Sequence, residues 1–209
     1  MSTTVRKPVH HAVYDTYADW ETGHATAHLA RAGHEIRTVG PAAGRPVRSI
    51  GGLRVTPDLA LDDVRPQDSS LLILPGADLW DTSDDLAPFA RKAREFLDAG
   101  VPVAAICGAT AGLAREGLLD DRSHTSAVSF YLAATGYAGG ARYVEADAVT
   151  DGRLITAGPT EPVAFAREIL GLLGVYEGEV LDAWYRLFHD SDPEAYAVLE
   201  KAGEQAGAR

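Results

Sequence analysis

The sole cysteine, Cys107, stands in Val101-Pro-Val-Ala-Ala-Ile-Cys107-Gly-Ala-Thr-Ala-Gly112, where an apolar run passes straight into small residues and a helical pattern. A thiol carried on such a strand-to-helix turn needs a strained backbone, and small neighbours, here Ala105 and Ala109, let the turn close. The helix that follows would aim its first N–H groups at the sulfur. That favours thiolate and is expected to lower the pKa below the free value of about 8.5. The Gly108 N–H is a candidate oxyanion donor. The chemistry would be nucleophilic attack on a small electrophile. The same local sequence also suits an inert core thiol, since unpaired cysteine is among the most buried residue types.

Two further segments supply groups that could act with it. Leu71-Leu-Ile-Leu-Pro75-Gly76-Ala77 ends an apolar strand in a turn whose backbone N–H groups, that of Gly76 included, would lie beside the neighbouring strand's cysteine. Tyr17-Ala-Asp-Trp20-Glu21 joins the first strand to the first helix, and Glu21 is expected in that helix's first turn. There its carboxyl could share a proton with the Cys107 sulfur, or simply stabilise the helix dipole. Of the seven histidines, His124 in Ser123-His-Thr-Ser126 is the candidate base. His24 and His28, spaced i, i+4, could share a helical face with Glu21 and hold zinc. The intervening Glu of the metalloprotease pattern is missing and the sequence identifies no further ligand, so no metal and no cofactor are expected.

Positioning these groups requires strands that alternate with helices. Val9–Asp15, His34–Val39, Ser70–Leu74, Val101–Ile106, Tyr143–Thr150 and Arg153–Ala157 read as strands. Helical patterns cover 20–32, 84–99, 109–116, 128–134 and 161–173, and 49–56 reads as a β-hairpin turning at Gly51-Gly52. This alternation predicts an α/β three-layer sandwich with a mainly parallel, flavodoxin-like sheet and right-handed crossovers. Residues 1–8 are expected as a flexible N-terminus, 9–175 as the domain, and 176–209 as a C-terminal helical extension, frayed from Gly203 onward. Trp184, Leu187 and Phe188 would pack that extension back onto the core or onto a partner.

Composition narrows the function classes. The 30 acidic residues against 19 Lys plus Arg give a net charge of −11, which repels nucleic-acid and anionic lipid surfaces, and no basic run offsets it. A single cysteine excludes an intrachain disulfide and a Cys-rich zinc site. With no signal-peptide pattern and no apolar span of about 20 residues, the expectation is a cytoplasmic protein acting on a small-molecule substrate.

Taken in order, Asp19-Trp20-Glu21, the Leu74-Pro75-Gly76 strand end, the Ile106-Cys107-Gly108 elbow and Leu154-Ile-Thr-Ala-Gly-Pro159 resemble the ThiJ/PfpI superfamily, whose fold is similar to the class I glutamine amidotransferase domain. The resemblance spans about Val9 to Leu173. It implies that Cys107 is the elbow nucleophile, Glu21 its carboxyl partner, Gly76 and Gly108 the backbone donors of an oxyanion hole, and the assembly a homodimer. It also implies a catalytic His within a residue or two of His124. Two departures bear on activity. Gly158-Pro159-Thr160-Glu161 stands where amidotransferases carry His-Pro-Glu, and Gly108 stands where PfpI-type proteases carry His. A thiolate without a base attacks reactive electrophiles but struggles with amides, whose leaving amine needs a proton. The resemblance therefore implies a hydrolase/amidase or glyoxalase/deglycase-like enzyme. The alternative is a non-catalytic redox or stress-responsive protein whose Cys107 is reversibly oxidised.

Overall fold

In the computed structural model, which describes residues 6–207, the chain begins its regular structure with Val9–Ala12 (β1), Gly23–Arg31 (α1) and Ile36–Gly40 (β2). Val47–Arg48 (β3) and Arg54–Val55 (β4) form the antiparallel hairpin expected around Gly51-Gly52, and Gly52 takes the φ of +87° that its turn requires. Leu59–Ala60 (β5), Leu71–Leu74 (β6), Leu79–Thr82 (α2), Ala87–Asp98 (α3), Val103–Ile106 (β7) and Gly108–Arg115 (α4) follow. The remainder is Ser129–Ala133 (α5), Ala148–Asp151 (β8), Leu154–Ala157 (β9), Pro162–Leu172 (α6), Gly178–His189 (α7) and Ala195–Gly207 (α8).

Seven strands form one sheet in the order β5-β2-β1-β6-β7-β9-β8, parallel except for the terminal β8–β9 pair. Strand alternation divides the core into two layers. Leu72, Leu74, Val103 and Ala105 face Phe89, Ala93 and Phe96 of α3 and Leu113 of α4. Leu71, Ile73, Ala104 and Ile106 face Leu29 of α1 and Phe165 and Ile169 of α6. Burial on both faces is why β6 and β7 are continuously apolar rather than alternating. The chain runs from β1 outward to β2 on one side and resumes at β6 on the other, so the carboxyl ends of β1, β6 and β7 meet at the point where strand order reverses.

Several boundaries differ from the sequence reading. The first helix begins at Gly23 rather than Trp20, because 18–21 form a turn closed by the Glu21 N–H on the Ala18 carbonyl at 3.3 Å. The strand expected over 143–150 is reduced to β8, whose length is set by its only strand partner, the four-residue β9. The flexible N-terminus falls on residues 1–5, which lie outside the described residues, and on 6–8, which are anchored. Arg6 donates to the Ala32 carbonyl at 2.7 Å, and the Ser70 N–H donates to the Pro8 carbonyl at 2.9 Å. The tail expected to fray from Gly203 is helical through Gly207, and 208–209 lie outside the described residues. No helix among the described residues is long and apolar enough to cross a membrane.

The extension packs on its own chain. Trp184 on α7 is buried in the layer shared with Leu29 and Phe165, and its indole N–H points at the His28 ring at 3.2 Å. His24 and His28 stand edge-on to Trp184 and Phe188, so this pair is a packing surface between α1 and α7. A groove of about 1080 Å³ lies between α1, α7 and α8, away from Cys107. Trp184→Ala is expected to cost about 3–5 kcal/mol as a large core truncation. Urea unfolding followed by far-UV circular dichroism checks this, and an unchanged midpoint would show that α7 is not part of the cooperative unit.

Candidate active site

Cys107 occupies the turn between β7 and α4 with φ +59° and ψ −130°, a region that L-residues avoid and that costs about 1–3 kcal/mol. The surroundings hold it there. Its N–H donates to the Ala157 carbonyl at 3.0 Å, which ties the turn to β9. Its carbonyl accepts the Thr110 N–H at 3.1 Å and the Thr110 hydroxyl at 2.6 Å, and that hydroxyl also bonds Ser126 Oγ at 2.7 Å. The residue is half-buried and packs against the inner apolar layer of the sheet.

Glu21 faces it from the end of β1. Only 1% of this residue is exposed, and Oε2 accepts the Gly76 N–H at 2.6 Å. Oε1 is buried without a hydrogen-bond partner of normal geometry. Both Oε1 and Sγ crowd Gly76: a Cβ built there would lie 2.8 Å from Sγ and 3.0 Å from Oε1. Glycine at 76 is therefore what lets the carboxyl and the thiol meet. The Pro75 carbonyl before it accepts from the Tyr14 hydroxyl and from Trp80 Nε1 at 3.0 Å, which fixes the turn. Trp80 in turn packs against Gly108 and Gly112, where a Cβ would come within 3.2 Å and 2.3 Å of its side chain. Behind Glu21, Thr22 Oγ1 pairs with His11 Nε2 at 3.0 Å, and burial lowers the pKa of this His to about 4, so it is neutral.

The electrostatics depart from expectation. Burial pushes Glu21 up to about 7 against the pull of the Gly76 amide. Burial and the Glu21 charge push the Cys107 thiol up to about 12, and the Gly108 N–H lowers it only in part. The helix terminus therefore does not by itself produce a free thiolate, because burial and a neighbouring carboxylate outweigh it. The two groups titrate as a pair. Above pH 7 the pair carries one negative charge, as carboxylate with thiol or as carboxylic acid with thiolate, and Oε1 is placed to hold the proton in the second form.

The structure thus brings Cys107, Glu21, Gly76 and Gly108 together, with two changes of role. Glu21 lies ahead of α1 rather than in its first turn. The Gly76 N–H is taken by Glu21 and is not an open oxyanion donor, which leaves Gly108. His124 is not brought to the site. It is buried between Tyr137 and Tyr143, with Nδ1 2.8 Å from the Arg122 carbonyl and Nε2 3.0 Å from the Tyr137 hydroxyl. A carbonyl only accepts, which assigns the proton to Nδ1 and leaves no ring nitrogen free to relay one. Sequence reasoning missed Asp81 and Tyr131. The Tyr131 hydroxyl donates to Asp81 Oδ1 at 2.7 Å, the Asp81 charge helps to raise the Cys107 thiol, and the Cys107 charge helps to raise Tyr131. No local pattern marks either one.

A model of the DJ-1/PfpI family matches residues 7–172. A Bacillus subtilis protein named uncharacterized protease YoaZ is 36% identical over 197 residues, covering 90% of this chain and 93% of its own. The Escherichia coli protein/nucleic acid deglycase 2 is 30% identical over 165 residues, covering 78% of this chain and 95% of its own. Among solved structures, the thiJ/pfpI family protein of Bacillus anthracis superposes with a TM-score of 0.88 at 34% identity, covering 94% of this chain and 96% of that one.

Two outcomes are expected. The rate of Cys107 alkylation by iodoacetamide should rise with pH through an inflection near 7 as the pair loses its first proton. Glu21→Gln should remove that inflection; its persistence in the Gln variant would refute proton sharing. Gly76→Ala should slow alkylation at pH 8 by at least tenfold by forcing Sγ and Oε1 apart, measured on protein whose circular dichroism is unchanged.

Proposed function

Because the chain belongs to the DJ-1/PfpI family, we propose that it is a glyoxalase/deglycase-like enzyme in which Cys107 attacks the aldehyde carbon of a small 1,2-dicarbonyl compound. The observation that carries this reading is the buried Glu21 carboxyl set beside the Cys107 thiol on a strained elbow, with both ring nitrogens of His124 engaged elsewhere. A carboxyl of pKa near 7 gives up and takes back a proton with similar ease at neutral pH, as general acid–base work requires. An amide needs a donor for its leaving amine. A dicarbonyl expels no such group.

The steps balance without an outside oxidant or reductant. The Cys107 thiolate forms a C–S bond to the aldehyde carbon, the carbonyl π pair moves to oxygen, and that oxygen takes the Glu21 proton to give a hemithioacetal. The Gly108 N–H is the amide left to stabilise charge on that oxygen. The Glu21 carboxylate then removes the hydrogen on the same carbon and returns it to the neighbouring carbonyl carbon through an enediol, which leaves a thioester. Water cleaves the thioester, releasing a 2-hydroxy acid and the thiol. Gly76 acts as a positioning group, because its amide holds the carboxylate in place. The relative named as a deglycase is in keeping with this reading, and the one named as a protease is in keeping with the hydrolase/amidase alternative.

The test is consumption of methylglyoxal with formation of lactate by purified protein. Cys107→Ser should abolish turnover, and Glu21→Gln should lower kcat by about 10²–10⁴-fold with a smaller change in KM. Turnover of glutamine or peptide esters with none of methylglyoxal would overturn the proposal in favour of hydrolysis. If no substrate turns over while mild peroxide adds oxygen to Cys107 in the intact mass, the redox reading replaces it.

A further inference from the structure

The carboxyl edge of the sheet carries a second cluster, formed by Asp147 just before β8, Glu161 at the start of α6 and His189 at the end of α7. Their ligand atoms all lie within 4.8 Å of one another. We propose that these three residues bind a divalent first-row metal ion of the zinc, nickel or cobalt class, at a site separate from Cys107.

The donor set and its orientation carry the argument. His189 Nδ1 lies 2.6 Å from Asp190 Oδ1 and Nε2 lies 3.8 Å from Asp147 Oδ2, so the protonated ring pairs with both carboxylates, whereas the neutral ring with its proton on Nδ1 turns the Nε2 lone pair toward Asp147. A carboxylate that fixes one imidazole nitrogen while the other ligates is the usual outer support of a histidine metal ligand. Two donors about 2.1 Å from a tetrahedral ion stand about 3.4 Å apart, so small side-chain rotations close the site. The Tyr185 hydroxyl donates to Asp147 Oδ2 at 3.3 Å, and the Thr160 hydroxyl donates to Glu161 Oε1 at 2.8 Å. Each carboxylate is therefore oriented by a neutral donor.

No Lys or Arg among the described residues bridges Asp147 or Glu161. The neighbouring guanidinium, Arg167, is committed to Glu168 and Asp182 and lies over the Tyr185 ring. His189 itself is the basic group that faces Asp147 and Glu161, and a divalent cation would take its place as the positive charge between them. One nitrogen and two oxygens match zinc-like ions, whereas calcium and magnesium seek all-oxygen shells. Asp147 and His189 are exposed and Glu161 is half-buried, so the ion has an open path and keeps positions for water. Three protein ligands from three elements would clip α7 to the sheet edge. The i, i+4 pair His24 and His28 takes no part, being packed against Trp184 and Phe188.

The test uses full-length protein with any affinity tag removed, titrated with zinc chloride at pH 7.5 by calorimetry and by competition with a chromogenic chelator. One equivalent should bind in the micromolar range, and the melting temperature should rise with zinc. His189→Ala and the double variant Asp147→Asn/Glu161→Gln should each weaken binding at least tenfold and lose the thermal shift, whereas Cys107→Ser and His24→Ala should bind as the unmodified chain does. Absence of a stoichiometric site would overturn the assignment. Binding lost in Cys107→Ser or His24→Ala but kept in His189→Ala would also overturn it. Melting temperatures without metal, compared across variants, separate loss of a ligand from loss of fold.

Discussion

The structure turns on a single close approach: at Gly76 there is no room for a Cβ between the Cys107 sulfur and the Glu21 carboxyl. Three strand ends must converge to produce it, with β1 delivering Glu21, β6 the glycine and β7 the thiol. Each strand is buried on both faces or nearly so, and the two apolar layers hold their register. Everything packed around the turn preserves this triangle. Tyr14 and Trp80 grip the Pro75 carbonyl, Gly108 and Gly112 make room for Trp80, and Ala157 and Thr110 brace the strained backbone of Cys107. Strain of this kind persists only where its surroundings over-determine it.

The same approach explains the acid–base properties. A carboxylate and a thiolate cannot both be charged in a space this confined and this dry, so the pair holds one proton between them above neutral pH. The Gly76 amide steadies the Glu21 carboxylate without supplying a compensating positive charge. The result is a thiol poised to react through its partner rather than one made permanently nucleophilic by the helix terminus. On the function proposed above, that distinction suits reversible addition to a carbonyl, while His124 has both ring nitrogens engaged away from the thiol.

The C-terminal extension is a second organising feature. Trp184 buries it against α1 and α6, and the aromatic rings of α7 use His24 and His28 as packing partners. By setting α7 there, the same packing brings His189 to Asp147 and Glu161 at the far edge of the sheet. A helical pair that reads in sequence as a metal motif thus becomes core. A histidine with no motif around it becomes the ligand candidate.

Local chemistry along the chain was enough to determine the alternating strands and helices, the hairpin at Gly51-Gly52 and the strand-to-helix turn at Cys107, whereas the grouping of Glu21, Gly76 and Gly108 with it rested on the resemblance of the ordered segments to a known family. Those features are written in periodicity, in turn residues and in short segments whose order is itself informative. Boundaries such as the start of α1 and the length of β8 were not legible, because turn hydrogen bonds and the partner strand set them. Neither the roles of the Gly76 amide and His124 nor the proximity of Asp81 and Tyr131 to the thiol could be read from sequence. Nor could the Asp147–Glu161–His189 cluster, whose members lie far apart in the chain. A hydrogen-bond partner, a buried charge and a shared proton are properties of distances through space, and only the folded packing of the sheet and its helices decides those.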